Sequence, residues 1–404
     1  MVESCLTRLD EVEERVHAWA WIDPERARGL AANADRTEAR SPLHGIPIGV
    51  KDIIDTAGIP TEYGAVHFAG RVPDRSADLV LALEDAGAIV IGKTVTTEVA
   101  YFQPGPTTNP WNAAHTSGGS SMGSAAGVAA GMIPLAVGTQ TNGSVIRPAA
   151  YCGVVGFKPT VGSISTEGVC HFSSTFDTIG SFATSVAAAA ALVGVMSRRP
   201  LEEWVPDRPE RPRLAAVRTN DFERCEPAMQ RCFDDSVAIL SGAGAEVLRP
   251  PLPAELEAVS ELHNTIQLYE AYRSLGSVVA GSASGGFSNR LREALALGAS
   301  ISDGAYQAAI EERRRLIGVL TDWARGFDAI LTPPALGEAP SVETTGDPLF
   351  CSRWSLTGSP SITVPAGFGP LGLPLGLQLC SPPGSDRRLL GAAAWAEEAL
   401  RHPA

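Results

Sequence analysis

The stretch 116–131, TSGGSSMGSAAGVAAG, is rich in hydroxyl groups and has no charged residue. Four serines stand there among glycines and alanines. A serine becomes a useful nucleophile only when a base removes its proton. None of the seven histidines of the chain lies in this stretch. The base must therefore come from another part of the sequence.

Lys51 is the candidate for that base. It follows the run GIPIGV (45–50), whose β-branched and apolar residues predict a buried strand. A lysine accepts protons near neutral pH once burial lowers its pKa from about 10.4 to about 7 or 8, which requires about 4 kcal/mol of desolvation. From periodicity alone, a solvated lysine at the end of a strand remains the alternative.

A second hydroxyl of interest, Ser144, closes the motif TNGS in GTQTNGSVIRP. A helix is predicted to start at Ser144, so consecutive backbone N–H groups would point at one spot near the positive end of the helix dipole. These N–H groups belong to Thr141, Asn142, Gly143 and Ser144. Such donors form an oxyanion hole, and each contributes about 3 kcal/mol to catalysis. An ordinary turn is the alternative interpretation.

Two literal motif matches do not carry their usual chemistry. The run GAIVIGKT (87–94) fits the phosphate-loop pattern, but its inner residues are apolar and β-branched and predict a strand interior. The run GSSMG (119–123) fits the nucleophile elbow centred on Ser121. An elbow needs a strand directly before it, and loop-like residues stand there instead. Nucleotide binding and a Ser-His-Asp hydrolase are therefore disfavoured.

Composition indicates a globular protein and limits its partners. The chain has 404 residues, 44% of them hydrophobic, and a net charge of −13 without any basic tract, which argues against a nucleic-acid backbone as partner. No apolar run reaches membrane-spanning length and no export signal is visible. Seven cysteines without CxxC spacing suit a reducing compartment. We therefore expect a cytoplasmic protein that binds no nucleic acid and no membrane, with a homodimer left open.

Helical and strand patterns alternate along most of the chain and predict the α/β class. Amphipathic helices are expected in 1–35, and the proline- and charge-rich segment 198–212 is the one convincing linker. Strand patterns continue on both sides of that linker. We therefore predict a single domain over 1–404: a large mixed, mostly parallel twisted sheet with helices on both faces. Segment 198–212 is then a surface excursion and about 254–325 a helical insertion, with two domains as the weaker option.

The order of these motifs resembles the amidase signature family. The resemblance runs through GIPIGVKDIIDTAGIPT, AIVIGKTVTTEVA, the central block 116–160, and the C-terminal TGSPSITVPAG and GLPLGLQL. It implies an α/β/α sandwich and an amidohydrolase that forms an acyl-enzyme without metal or cofactor. By motif position, Lys51 matches the catalytic lysine and Ser144 the acylated nucleophile. Ser120 matches the serine that sits on a cis peptide and relays the proton.

The chain departs from the common family pattern beside the nucleophile. Many members read Asp-Thr-Gly-Gly-Ser and place an arginine two residues after the nucleophile, whereas this chain has Gln140, Asn142 and, at the third position, Arg147. Residue i+3 shares a helix face with residue i, so Arg147 is predicted to face the pocket. The SVIRP variant resembles a malonamidase-like subgroup in which this arginine holds the substrate carboxylate. Bracing of neighbouring carbonyls or an acid is the alternative.

Further pocket residues are predicted around the central block. The segment 166–180, TEGVCHFSSTFDTIG, is expected to line the acyl side of the pocket, with His171 and Phe172 as its candidates. Ser121 is expected to support the site by hydrogen bonds. Together with Gln140 and Arg147, these residues form the predicted substrate-binding set.

Three functions are consistent with these observations. The preferred one is an amidohydrolase that cleaves the C–N bond of a small carboxamide, which carries a free carboxylate if Arg147 faces the pocket. The second is the glutaminase (A-type) subunit of a tRNA-dependent amidotransferase, against which Gln140, Arg147 and the modest length weigh. The third is a non-enzymatic scaffold with the same fold, which is disfavoured because all three catalytic positions are filled.

Overall fold

The structure is a computed structural model that describes residues 1–283 and 285–402. In this part of the chain the strands are β1 Trp19–Ile22, β2 Pro47–Lys51, β3 Ile89–Thr94, β4 Leu135–Gln140, β5 Val155–Lys158, β6 Thr178–Ala183, β7 Arg213–Ala216, β8 Glu246–Leu248, β9 Ala329–Thr332, β10 Ser361–Phe368 and β11 Pro374–Cys380. The α-helices are α1 Val2–Val16, α2 Pro24–Ala34, α3 Asp78–Asp85, α4 Met122–Ala129, α5 Ile146–Cys152, α6 Val186–Met196, α7 Pro227–Gly242, α8 Ser260–Ala280, α9 Asn289–Ser300, α10 Asp303–Trp323, α11 Leu349–Leu356 and α12 Asp386–Arg401.

These strands pair into one sheet in the order β1-β3-β2-β4-β6-β5-β10-β11-β9-β7-β8. Parallel pairs join β2 to β3 and β4, and β7 to β8 and β9. The other pairs are antiparallel: β4–β6, β6–β5, β5–β10, β10–β11, β11–β9 and the edge pair β1–β3. The predicted α/β class with a large mixed sheet is confirmed. Within the described chain, however, six antiparallel pairs stand against four parallel ones, so the sheet is not mostly parallel. Of the antiparallel pairs, β10–β11 is joined by a hairpin, which allows only that direction.

Helices cover both faces of the sheet. Successive side chains of a strand point to opposite faces. In β4, Leu135 and Val137 join a core that includes residues of α3, α6 and α12. Between them, Ala136 joins a second core with residues of α1, α4 and α5. The central strands are therefore buried on both sides, and catalytic groups can reach a pocket only from their ends.

The N-terminal region differs from the prediction in one element. Residues 1–35 contain the expected helices α1 and α2, but the strand β1 separates them and pairs with β3, with Trp19 opposite Thr94. The strand has only four residues, WAWI. Hydrophobic periodicity cannot separate strand from helix over so short a run.

The segment 198–212 connects α6 to β7, and its Trp204 is buried with its ring centroid 6.4 Å from that of Phe157. Helices α8, α9 and α10 lie in the region 254–325. The interpretation of 1–404 as one domain stays a prediction. No helix in the described ranges has both the length and the apolar character needed to cross a membrane.

Candidate active site

Lys51 ends β2, which lies between β3 and β4, and its side chain is 0% exposed. Its Nζ lies 2.8 Å from Ser120 Oγ and 2.8 Å from Thr139 Oγ1. Burial lowers the pKa of Lys51 to about 7, although the negative charge of Asp177 acts in the opposite direction. A substantial fraction of the amine is therefore neutral near pH 7 and can accept a proton.

The two adjacent serines of GGSS have different surroundings. The Gly119–Ser120 peptide bond is cis, and Ser120 borders the pocket with its hydroxyl next to Lys51. The Oγ of Ser121 donates to the Thr139 carbonyl at 3.1 Å and accepts from the Thr139 N–H at 3.2 Å. Ser121 thus ties the loop to β4 from a fully buried position behind the pocket.

Residues 141–144 form a turn with free backbone donors. Among the hydrogen bonds of the described residues, none uses the N–H of Asn142, Gly143 or Ser144. All three residues line the pocket. The turn leads into α5, which begins at Ile146, two residues later than predicted. Unpaired backbone N–H groups at a pocket wall are the donors that an oxyanion requires.

Gln140 organises this turn from behind the pocket. Its Oε1 accepts from the N–H groups of Val145 at 2.8 Å and Ile146 at 3.1 Å. Its Nε2 donates to Ser355 Oγ at 3.1 Å, and Ser355 in turn donates to the Asn142 carbonyl. The structure therefore directs the Gln140 amide to the turn and to α11, and not to the pocket wall.

One pocket collects most of the predicted site residues. Its lining consists of Thr97, Ala100, Tyr101, Phe102, Ser120, Thr141, Asn142, Gly143, Ser144, Arg147, Phe172, Gln267 and Thr345. The structure thus brings together Ser120, Ser144, the 141–144 turn, Arg147 and Phe172, with Lys51 directly behind Ser120. Ser120 and Ser144 are not hydrogen-bonded to each other in this arrangement.

Arg147 is a buried cation on the pocket wall, 2% exposed. Its Nη2 donates to the Gly119 carbonyl at 2.8 Å and to Thr345 Oγ1 at 3.4 Å. Its Nε and Nη1 are buried and have no partner among the described residues. The guanidinium carbon also lies 5.8 Å from the ring centroid of Phe102. Arg147 therefore braces the Gly119 carbonyl, as the structural interpretation expects. It also keeps free donors for an anion, as the carboxylate-binding interpretation expects.

His171 and Phe172 differ in position although they are adjacent. Phe172 lines the pocket and stacks on Tyr101, with ring centroids 4.9 Å apart. The His171 side chain is 38% exposed, and its Nδ1 lies 3.5 Å from Asp177 Oδ2, which raises the pKa of the imidazole. His171 is not part of the pocket lining, so the structure does not bring it together with the other predicted site residues.

Seven residues of the site lie outside the set predicted from sequence: Thr139, Gln267, Thr345 and the pocket-lining Thr97, Ala100, Tyr101 and Phe102. Thr139 is the last residue but one of β4, and its place beside Lys51 follows from the parallel pairing of β4 with β2. A signal for it is present in the sequence, because both strands have recognisable patterns. Gln267 and Thr345 reach the pocket from α8 and from the loop before α11. No local motif marks them.

Comparisons with known proteins identify the family of this chain. The family model described as Amidase matches residues 1–390. The A-type subunit of glutamyl-tRNA(Gln) amidotransferase from Streptomyces avermitilis is 32% identical over 99% of this chain and 91% of its own length. A solved structure of an amidase has a TM-score of 0.90 and 31% identity over 98% of this chain and 95% of its own. The solved structure of the peptide amidase from Stenotrophomonas maltophilia has a TM-score of 0.84 and 30% identity, and the match covers 100% of this chain and 93% of that one.

These relatives overturn the partner expectation. The expectation was a small-molecule amide substrate, no nucleic acid, no membrane and a possible homodimer. It is wrong, because the matched relatives are by name subunits of an enzyme for glutamyl-tRNA(Gln). A net charge of −13 describes the surface of one chain only. It carries no information about surfaces that partner subunits provide.

The relatives do not single out the malonamidase-like subgroup suggested by SVIRP. They do include the A-type subunits of an amidotransferase, an amidase and a peptide amidase, all matched over nearly their full length. The chain therefore belongs to the amidase family and is an amide-hydrolysing enzyme.

Proposed function

We propose that the chain hydrolyses a primary carboxamide through an acyl-enzyme on Ser144, as the glutaminase (A-type) subunit of a tRNA-dependent amidotransferase. The observation that carries the chemistry is the buried Lys51, with Nζ 2.8 Å from Ser120 Oγ. The role within a larger assembly is supported by the curated relatives of that name, 31–33% identical over at least nine-tenths of their length. Ammonia from the amide is the product that such a glutaminase supplies to its partners.

The proposed reaction uses three side chains in series. The neutral amine of Lys51 takes the proton of Ser120, which takes that of Ser144, and Ser144 Oγ attacks the amide carbon. The N–H groups of the 141–144 turn stabilise the tetrahedral oxyanion. The proton returns through Ser120 to the amide nitrogen, the C–N bond breaks and ammonia leaves. Water then attacks the ester by the same relay and releases the acid.

In this scheme the hydrogen bond between the hydroxyls of Ser120 and Ser144 forms only during catalysis. Their hydroxyls face one pocket without a hydrogen bond between them. Catalytic hydrogen bonds are often long in ligand-free enzymes and shorten when substrate binds. We therefore place the formation of this bond in the substrate complex.

Arg147 is the proposed anchor for a substrate carboxylate. Two of its nitrogens are buried without a partner, and an arginine presents paired donors that match a carboxylate. Glutamine carries a carboxylate as well as a carboxamide, so this assignment fits a glutaminase. It equally fits substrates of the malonamidase-like subgroup.

A second candidate follows from the charges of the pocket wall. Its lining in the described chain includes Arg147 but no acidic side chain. The ammonium group of glutamine would find no opposite charge there. This favours an amidohydrolase for a half-amide of a dicarboxylic acid, which bears a carboxylate and no ammonium group.

The catalytic assignment is tested by Ser144→Ala and Lys51→Ala. Each is expected to lower ammonia release from glutamine by at least about a thousandfold, because the nucleophile and its base act as one unit. The assay combines the chain with the remaining subunits of a glutamyl-tRNA(Gln) amidotransferase. The control Ser241→Ala, at an exposed position of α7, should retain full activity. Undiminished activity in either catalytic variant would refute the mechanism.

Substrate identity is tested with Arg147→Met. We expect KM to rise about a hundredfold for glutamine or for the half-amide succinamate, and no more than about threefold for neutral propionamide, because only the first two present a carboxylate. Similar effects on all three amides would limit Arg147 to bracing the Gly119 carbonyl. Hydrolysis of succinamate but not of glutamine, with and without the other subunits, would select the second candidate.

A further inference from the structure

The helix α8 presents three buried polar side chains to the active site from one face. His263, Gln267 and Glu270 follow the spacing i, i+4 and i+7, which places them on one side of a helix. His263 contacts the carbonyl of Thr141 and Gln267 lines the pocket. Glu270 accepts hydrogen bonds from the loop 173–175. Of the three, His263 touches the backbone that surrounds the nucleophile.

The contact of His263 has a defined direction. Its Nε2 lies 3.2 Å from the carbonyl oxygen of Thr141. A carbonyl can only accept, so Nε2 carries the hydrogen and donates. The ring is 0% exposed and stacks on Phe176, with centroids 4.4 Å apart and planes 7° apart. Burial lowers the pKa of His263 to about 4, and the charge of Arg313 acts in the same direction. The imidazole is therefore a neutral and immobile donor.

This hydrogen bond determines where an oxyanion donor points. In a trans peptide the carbonyl of one residue and the N–H of the next point in opposite directions. His263 holds the Thr141 carbonyl, and so directs the N–H of Asn142 to the opposite side of that peptide. Ser355 holds the Asn142 carbonyl in the same way and directs the N–H of Gly143. Both N–H groups are free of protein acceptors in the described chain.

We propose that His263 is a positioning residue of the oxyanion hole, which orients the Asn142 N–H by holding the Thr141 carbonyl. This inference rests on the proposed acyl-enzyme chemistry. Oxyanion donors accelerate a reaction most when they are oriented before the charge develops and do not have to reorganise. His263 takes no part in proton transfer, because the only hydrogen bond of its ring in the described chain goes to the Thr141 carbonyl and not to Lys51, Ser120 or Ser144.

The test compares His263→Phe with His263→Gln. Phenylalanine keeps a ring that can stack on Phe176 but removes the donor, whereas glutamine keeps an N–H donor. For His263→Phe we expect kcat to fall about 10- to 100-fold with KM changed less than about threefold, somewhat less than the loss of a direct oxyanion donor. The affinity for a boronic acid that forms a tetrahedral adduct with Ser144 should fall by a similar factor. His263→Gln should recover part of both losses.

A purely structural role of His263 predicts a different outcome. The two variants would then lose activity in proportion to their loss of thermal stability, and kcat would not track boronate affinity. Either that result or unchanged kinetics in His263→Phe would overturn the proposal. His402→Phe, at an exposed position, is the matched control.

Labelling by a fluorophosphonate separates this proposal from the proposed function. If Ser144 of the wild type is labelled and His263→Phe is labelled as quickly, only the positioning role fails. If the wild type and Ser144→Ala are equally unreactive, the acyl-enzyme chemistry fails and the positioning role fails with it.

Discussion

The balance of forces on the Lys51 amine determines at which pH the site can work. Burial removes water from the ammonium form and lowers its pKa to about 7. The nearby Asp177 carboxylate acts against this, because a negative charge stabilises the ammonium form. The neutral amine is the form that accepts a proton from Ser120. Activity should therefore be lost as the pH falls through about 7.

Removal of the Asp177 charge should move this acidic loss of activity to lower pH. In Asp177→Asn the amide can still accept from the N–H groups of Phe172 and Ser173 and can donate to Thr141, so these three hydrogen bonds are retained while the charge pair with His171 is lost. Without the carboxylate, the pKa of Lys51 falls further, and the acidic limb of kcat/KM should shift by about 0.5 to 1 pH unit. The measurement is kcat/KM between pH 5 and 9. A limb that moves to higher pH would contradict the assignment of Lys51 as base.

At the scale of elements, the turn before α5 depends on the side chain of Gln140, which lies behind the pocket. Gln140→Leu leaves the N–H groups of Val145 and Ile146 without their buried acceptor. We expect the free energy of unfolding to fall by about 2–3 kcal/mol, the cost of unsatisfied buried donors. Urea denaturation measures this change, and Gln307→Leu, at an exposed position of α10, is the control. Equal effects of the two substitutions would show that the Gln140 contacts contribute nothing specific.

The elements around the catalytic triad are predictable from sequence, and the opposite wall is not. The strand that ends at Lys51 is an apolar run, and the helix after Ser121 consists of small and apolar residues that are nearly all buried. Helix α8 is recognisable as a helix, but which of its faces meets the active site depends on tertiary packing. His263 is therefore invisible as a site residue in the sequence. The four-residue β1 escapes prediction because so short an apolar run fits a helix pattern as well as a strand pattern.

At the scale of the whole molecule, the site joins parts of the chain that are far apart in sequence. Lys51 and Ser120 are 69 residues apart, and Thr345 is 198 residues from Arg147. The common sheet brings them together, because β2 and β4 are neighbours although β3 lies between them in the chain. The catalytic triad could be predicted from sequence, because the order of its motifs resembles that of the amidase signature family. The substrate wall combines distant loops, and its composition follows only from the fold.

At the scale of the whole fold, the pH dependence of the free energy of unfolding should reveal the lowered pKa of His263. The pKa of His263 is about 4 when folded and about 6.5 in the unfolded chain, so between these values the unfolded state binds more protons. Stability is therefore lost as the pH falls from about 6.5 to about 4, by about 3 kcal/mol from this residue alone.

His263→Phe removes this titration, and its free energy of unfolding should fall less steeply over the same range. Urea denaturation at pH 7.5, 6.5, 5.5 and 4.5 measures the difference between wild type and variant, in which the other titrating groups cancel. We expect the difference to change in favour of the variant at each step below pH 6.5. A difference that stays constant with pH would mean that His263 has the same pKa in the folded and the unfolded chain, so that burial does not disfavour its charged form. His263 would then be solvated, and it could not be the neutral donor that holds the Thr141 carbonyl.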